Sequence, residues 1–247
     1  MRSGNPALRE NVFRLEKQKA ISTNETMTVA GTTNKTAMLL VITFLSASYT
    51  WNYIDQNTVQ VLPMYLFGSA ILAFIISLII IFKKTTAPIL APVYCILEGA
   101  LMGFISLFME RLYPGIVTQA ILATFGVMAG LLLAYKTRLI KVTENFKLGV
   151  FAATAGIAFV YLISMIAGFF GVQVPVIHDS SPMGIAVSVI IVIVAALNLV
   201  LDFDFIENGE QIGAPKYMEW YAAFGLIVTL LWLYMEILRL LAKTRER

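Results

Sequence analysis

Cysteine and histidine are almost missing from this 247-residue chain, each occurring once, as Cys95 and His178. A single cysteine excludes an internal disulfide framework. With one of each there is no His/Cys/Asp cluster at metal-ligand spacing, and no glycine-rich phosphate loop appears either. Charge is also scarce, at 13% of residues against about 25% in soluble domains. The net charge is only +3, which gives no footprint for nucleic acid. Apolar residues remain, at 59% of the chain with a mean hydropathy of +0.80.

The apolar residues fall into blocks, each long enough for the roughly 20 residues that cross a bilayer as a helix. The pattern predicts spans near 37–55, 61–82, 88–109, 115–135, 148–171, 183–203 and 217–241. No stretch alternates over about ten residues as a barrel strand would, and backbone in hydrocarbon leaves helices as the other solution. The expected class is therefore an all-α integral membrane protein with seven transmembrane helices. It comprises a tail over residues 1–34 and a membrane domain over 35–247. The tail has no apolar stretch to act as a signal peptide, so the first span is expected to direct insertion. Leu8, Val12 and Leu15 share a helical face beside Arg9, Arg14, Lys17 and Lys19. They fit a surface helix on an anionic leaflet or an unstructured basic tail.

Basic residues set the expected orientation. The tail with Lys35, the Lys83–Lys84 turn, the loop from Lys136 to Lys147 and Lys216 hold most of the Lys and Arg, while the alternate loops hold Arg111. That bias puts the N-terminus in the cytoplasm. Seven spans then carry Arg239, Lys243, Arg245 and Arg247 to the outer face, which the same rule disfavours; a last segment that only partly crosses is the alternative. Asn24-Glu25-Thr26 and Asn34-Lys35-Thr36 match the glycosylation pattern, which has no meaning on a cytoplasmic tail.

Enzyme chemistry finds little support. His178 lies in a polar loop with Asp179, Ser180 and Ser181. An intramembrane aspartyl protease needs aspartates from two helices, whereas Asp202 and Asp204 share one and point about 200° apart. No lysine lies between Tyr217 and Leu241 to hold retinal. No enzyme and no cofactor are expected. The informative residues are ionisable groups in hydrocarbon, each costing about 2.5–3.5 kcal/mol at mid-bilayer unless paired or wetted. Glu98 is the deepest; beside it Gly99, Ala100 and Gly103 let another helix approach. It reads either as a carboxyl satisfied by a neighbouring helix or as part of an ion or proton path. Asp202 continues a face with Ile191, Ala195 and Asn198. Asp204, Glu207 and Glu210 follow, with Gly209 and Gly213-Ala214-Pro215 expected to end the helix. Carboxylates with loop carbonyls suit a hard cation, so Asp202 and Asp204 are candidate transient calcium ligands. In the last helix Thr229, Leu233 and Glu236 lie near one face. Glu236 and Arg239 are placed to satisfy each other, and Glu219 sits near the start of the helix. Tyr217, Trp220 and Tyr221 read as an interfacial aromatic belt, matched by Trp51 and Tyr53.

Leu201-Asp202-Phe203-Asp204-Phe205-Ile206-Glu207, Ala214-Pro215-Lys216-Tyr217-Met218-Glu219-Trp220-Tyr221 and the stretch from Leu233 to Leu241 resemble the transmembrane Bax inhibitor motif family. Asn5-Pro6-Ala7-Leu8, Glu98-Gly99, Glu110 and Pro114-Gly115-Ile116-Val117 narrow the resemblance to its bacterial Bax inhibitor/YccA-like branch. The resemblance implies six helices around a central seventh, a bacterial plasma membrane, and a pH-sensitive calcium leak. It implies a latch between an aspartate ending the sixth helix, matched by Asp202, and one in the last helix, whose place falls on Thr229. Because Thr229 cannot ionise, Glu98, Glu219 or Glu236 are the candidate substitutes. Two functions follow as expectations. One is a cation leak past Glu98, Asn198 and Asp202; the other is a non-conducting regulator that binds a membrane protease, translocation system or cell-death machinery. The lipid bilayer is the expected partner on either.

Overall fold

A computed structural model describes residues 26–53, 62–171 and 179–246. Residues 5–8, the tail face of Leu8, Val12 and Leu15, the Asn24 pattern and His178 lie outside the described residues. Among the described residues the chain forms seven long helices in the order α1 (Val29–Tyr53), α2 (Leu62–Phe82), α3 (Ala87–Leu112), α4 (Ile116–Lys136), α5 (Glu144–Phe169), α6 (Pro182–Gln211) and α7 (Met218–Arg245). A 3-10 turn, Lys84–Thr86, precedes α3. Among the described residues the pairing outside helices is an isolated bridge between Thr26 and Pro215. Five helices, α3 to α7, are long and apolar enough to cross a membrane. The apolar part of α2 is the shorter run Phe67–Phe82, and α1 mixes Thr, Ser, Asn and Lys with its apolar residues. The protein is an all-α, multi-pass membrane protein.

Two boundaries differ from the sequence expectation. α1 starts at Val29 rather than near residue 37, because its polar first turns satisfy themselves. The hydroxyls of Thr32, Thr36 and Thr43 donate to the carbonyls four residues earlier at 2.9–3.0 Å, which lets such residues sit in a membrane helix. α6 runs on to Gln211, so Asp202, Asp204, Glu207 and Glu210 are all helical. Gly209 does not end the helix: a Cβ there would lie 2.7 Å from Met27 Sδ, so its smallness admits Met27. The turn comes at Gly213, at φ +67°, a conformation glycine adopts freely.

The helices group into two compact units. The first holds the described residues up to Leu112 together with Phe205–Ile227; the second holds Tyr113–Asp204 and Val228 onward. In the first unit α1 and α2 both pack on α3. α1 crosses α3 where Gly99 and Gly103 leave no side chain. A Cβ at Gly99 would lie 2.5 Å from the Thr43 carbonyl oxygen, and one at Gly103 2.8 Å from Ala47 Cα. This is the close approach that small residues four apart permit, and Ser46 Oγ adds a 2.6 Å hydrogen bond to the Ile96 carbonyl across the crossing. In the second unit Thr143 caps α5 by accepting from Phe146 N at 3.2 Å, and Lys147 in its first turn reaches Asp204 of α6.

Candidate functional site

α6 presents Gly184, Ser188, Ile191, Ala195, Asn198 and Asp202 at steps of four and three, one continuous stripe of a helix. α7 presents Thr229, Leu233, Glu236 and Lys243 at steps of four, three and seven, again one face of a helix. Within the second unit these stripes meet: the Thr229 hydroxyl hydrogen-bonds the Asp202 carboxyl, and Lys243 Nζ donates to Ser188 Oγ at 2.9 Å. The seam is lined between them by Ile191, Ala195 and Leu233, all buried.

Asp202 is the centre of this seam's polar chemistry. Its Oδ2 is shut away from the surface and has no hydrogen-bond partner among the described residues. Its contact is Thr229, the residue standing where the family resemblance puts a second aspartate. Asn198, one turn back, donates to Thr154 Oγ1 of α5 and to the Val194 carbonyl, both at 2.8 Å. Asp204 is held by Lys147 at 2.8 Å, so the two aspartates are committed to different partners, as their divergence on one helix requires. No group of three His, Cys, Asp or Glu side chains is placed to hold a metal ion among the described residues.

The three glutamates considered as stand-ins for the second aspartate are engaged elsewhere. Glu236, 2% exposed, accepts from Tyr161 OH at 2.8 Å, from Trp232 Nε1 at 3.2 Å and from Arg239 at 3.1 Å. Arg239 also donates to Tyr161 OH at 2.6 Å. This buried pair has the added hydrogen bonds such pairs need. Glu98, in the first unit, has the Tyr94 hydroxyl 3.5 Å away, at the limit of a hydrogen bond. Glu219, also in the first unit and fully buried, pairs with Lys35, with Lys216 at 3.3 Å, and accepts from Thr28 N and Oγ1 at 2.9 and 3.0 Å.

The Glu219 cluster completes the start of α1. Thr28 caps the helix by accepting from Gly31 N at 2.9 Å, and Glu210 accepts from Val29 N at 2.9 Å. Carboxylates at a helix N-terminus also meet its partial positive charge. A side chain on Gly31 would collide with the Glu219 carboxylate. Glu210 is thus a cap of α1. Of the aromatic belt, Trp220 and Tyr221 carry Lys35 and Lys84 over their rings at 5.6 and 5.4 Å, contacts of cation–π type.

At the other end of α7 the basic residues that strain the topology rule are bound internally. Lys243 donates to the Gly184 carbonyl at 3.2 Å as well as to Ser188. Arg245 donates to the Pro114 carbonyl at 2.8 Å and Gln119 Oε1 at 3.1 Å. Glu246 accepts from Ser180 and from Tyr113 OH. The Ser180 hydroxyl first, then Tyr113, holds its carboxyl below the ordinary glutamate range.

Sequence reasoning missed Lys147, Ser188 and Lys243. The four-three spacing from Asp202 back to Gly184 was the available signal for Ser188, and nothing local marks its lysine partner, 55 residues away. A family model described as Bax inhibitor 1 like matches residues 5–246. No curated protein and no solved structure matches the chain.

Proposed function

Because the chain belongs to the Bax inhibitor 1 like family, we propose that it is a cation leak, with calcium the permeant ion, whose opening is controlled by protons at Asp202. The carrying observation is the Asp202 carboxyl itself, enclosed between α6 and α7 with Oδ2 unpartnered and a hydroxyl where a countercharge would be. An enclosed anion without a countercharge is expensive, and an arriving proton or cation relieves it. That makes the site responsive to both. Asn198 supplies a further amide on the same stripe. Asp204, neutralised by Lys147, shapes the field at that end of α6. Glu98 is a separate protonatable site of the first unit. The proposed location is a bacterial plasma membrane with the N-terminus in the cytoplasm, supported by the basic loops at Lys83–Lys84 and Lys136–Lys147.

The test is calcium entry into vesicles holding the purified protein alone. Asp202→Asn keeps the shape and removes the charge; it is expected to cut the flux at least tenfold and abolish its pH response. Unchanged flux and unchanged pH response would sink the reading. Vesicles that stay tight with the unaltered protein, combined with membrane proteins that co-purify with it, would favour the non-conducting regulator instead.

A further inference from the structure

We propose that Lys243 is a tethered cation that closes the end of the α6–α7 seam remote from Asp202, its ammonium occupying oxygen ligands that a permeating cation would otherwise use. This deepens the cation-leak reading and rests on it. The ammonium lies 2.9 Å from Ser188 Oγ and 3.2 Å from the Gly184 carbonyl, with Lys243 4% and Ser188 2% exposed. Carbonyl and hydroxyl oxygens are the ligands hard cations take in exchange for water.

Lys243 is an odd lysine for this chain. Lys35, Lys147 and Lys216 each pair with a carboxylate, whereas Lys243 forms no ion pair with any described carboxylate. The acids that act on it at longer range are Glu236, Asp179 and Glu246. Each already has a closer partner: Arg239 for Glu236, the Ser181 amide for Asp179, and Ser180 with Tyr113 for Glu246. A lysine one turn from a helix end ordinarily extends its stem toward water. This one turns inward.

The position of its ligands gives the burial a purpose. Gly184 and Ser188 belong to the stripe that carries Asn198 and Asp202, and Ser188 lies about 21 Å along the axis from Asp202 at 1.5 Å per residue. Between them Ile191 and Ala195 of that stripe are apolar and buried. On α6 the next side-chain oxygen along this stripe after Asn198 is therefore that of Ser188. There Lys243 excludes a permeating cation by bulk and by like charge.

The experiment compares Lys243→Ala, Lys243→Met, Lys243→Arg and Ser188→Ala with the unaltered protein in calcium-loaded vesicles. Lys243→Ala and Lys243→Met should raise the leak about tenfold or more, Ser188→Ala should raise it less, and Lys243→Arg should stay near the original rate. Millimolar ethylammonium, an ammonium on a short alkyl stem, should close Lys243→Ala again and leave the original protein unaffected. A merely structural lysine would give lower thermal stability with no ethylammonium-reversible leak, and that result overturns the proposal. If Asp202→Asn lowers the flux while Lys243→Ala leaves it unchanged, the plug fails and the leak reading stands. If every variant is tight, including Lys243→Ala, both fail.

Discussion

Thr229 offers Asp202 a hydroxyl, which satisfies one oxygen and can never carry charge. A carboxyl in its place would create two like charges at close range, which lose their protons in coupled steps. Thr229→Asp is therefore expected to make calcium flux in vesicles more steeply dependent on pH, with two titrating groups in place of one. Flux that keeps the original steepness would show that the two positions do not communicate. The Asn198–Asp202 face and the divergence of Asp202 from Asp204 were legible in the sequence, because helical spacing alone determines them. What occupies the partners was not: Glu236 reaches Tyr161 and Asp204 reaches Lys147 across helices. Such pairings depend on packing rather than on local pattern. A surface residue gives a second test. Glu246 is held below its unfolded value by Ser180 and Tyr113, so its anchoring is fully present above the unfolded glutamate value of about 4.3 and is lost as pH falls through the folded value. Amide exchange in the last turn of α7 is expected to quicken below about pH 4 and to be insensitive to pH between about 5 and 7.

At the level of helices, the α1–α3 crossing depends on the absence of side chains. Gly103 faces Ala47 backbone atoms, which cannot yield as a flexible side chain can. Gly103→Leu is expected to cost about 1–3 kcal/mol, the usual range for overpacking, read as a lower unfolding temperature in detergent. Gly126→Leu on α4, where nothing lies within 4 Å of the added carbon, should leave that temperature unchanged. The small residues beside Glu98 announced this crossing in the sequence. The start of α1 was hidden, because its capping groups Glu210 and Glu219 lie 181 and 191 residues away. The end of α6 was misread for a related reason, since glycine marks a helix end or a close neighbour equally well, and here the neighbour is Met27.

For the molecule as a whole, α7 spans 28 residues without a break, about 42 Å at helical rise. Its first turn is fixed beside the start of α1 through Glu219. Its last turn is fixed beside Tyr113, Pro114 and Ser180. The described cations near the end of α7 are bound by protein oxygens. A phosphatase reporter active only outside the cytoplasm is expected to be active when fused after Arg247 and silent before Met1. Activity at both ends, or at neither, would contradict seven crossings.

The cluster that seals α1 also orders events during synthesis. Lys35 and Glu219 are 184 residues apart. At about 5–20 residues per second, α1 leaves the ribosome on the order of ten seconds before the carboxylate that neutralises its lysine exists. In that interval Lys35 has only water, headgroups or an insertion chaperone to turn to. The polar end of α1 is thus completed long after the helix itself is made, and a chain halted before residue 219 carries that unfinished end into the membrane.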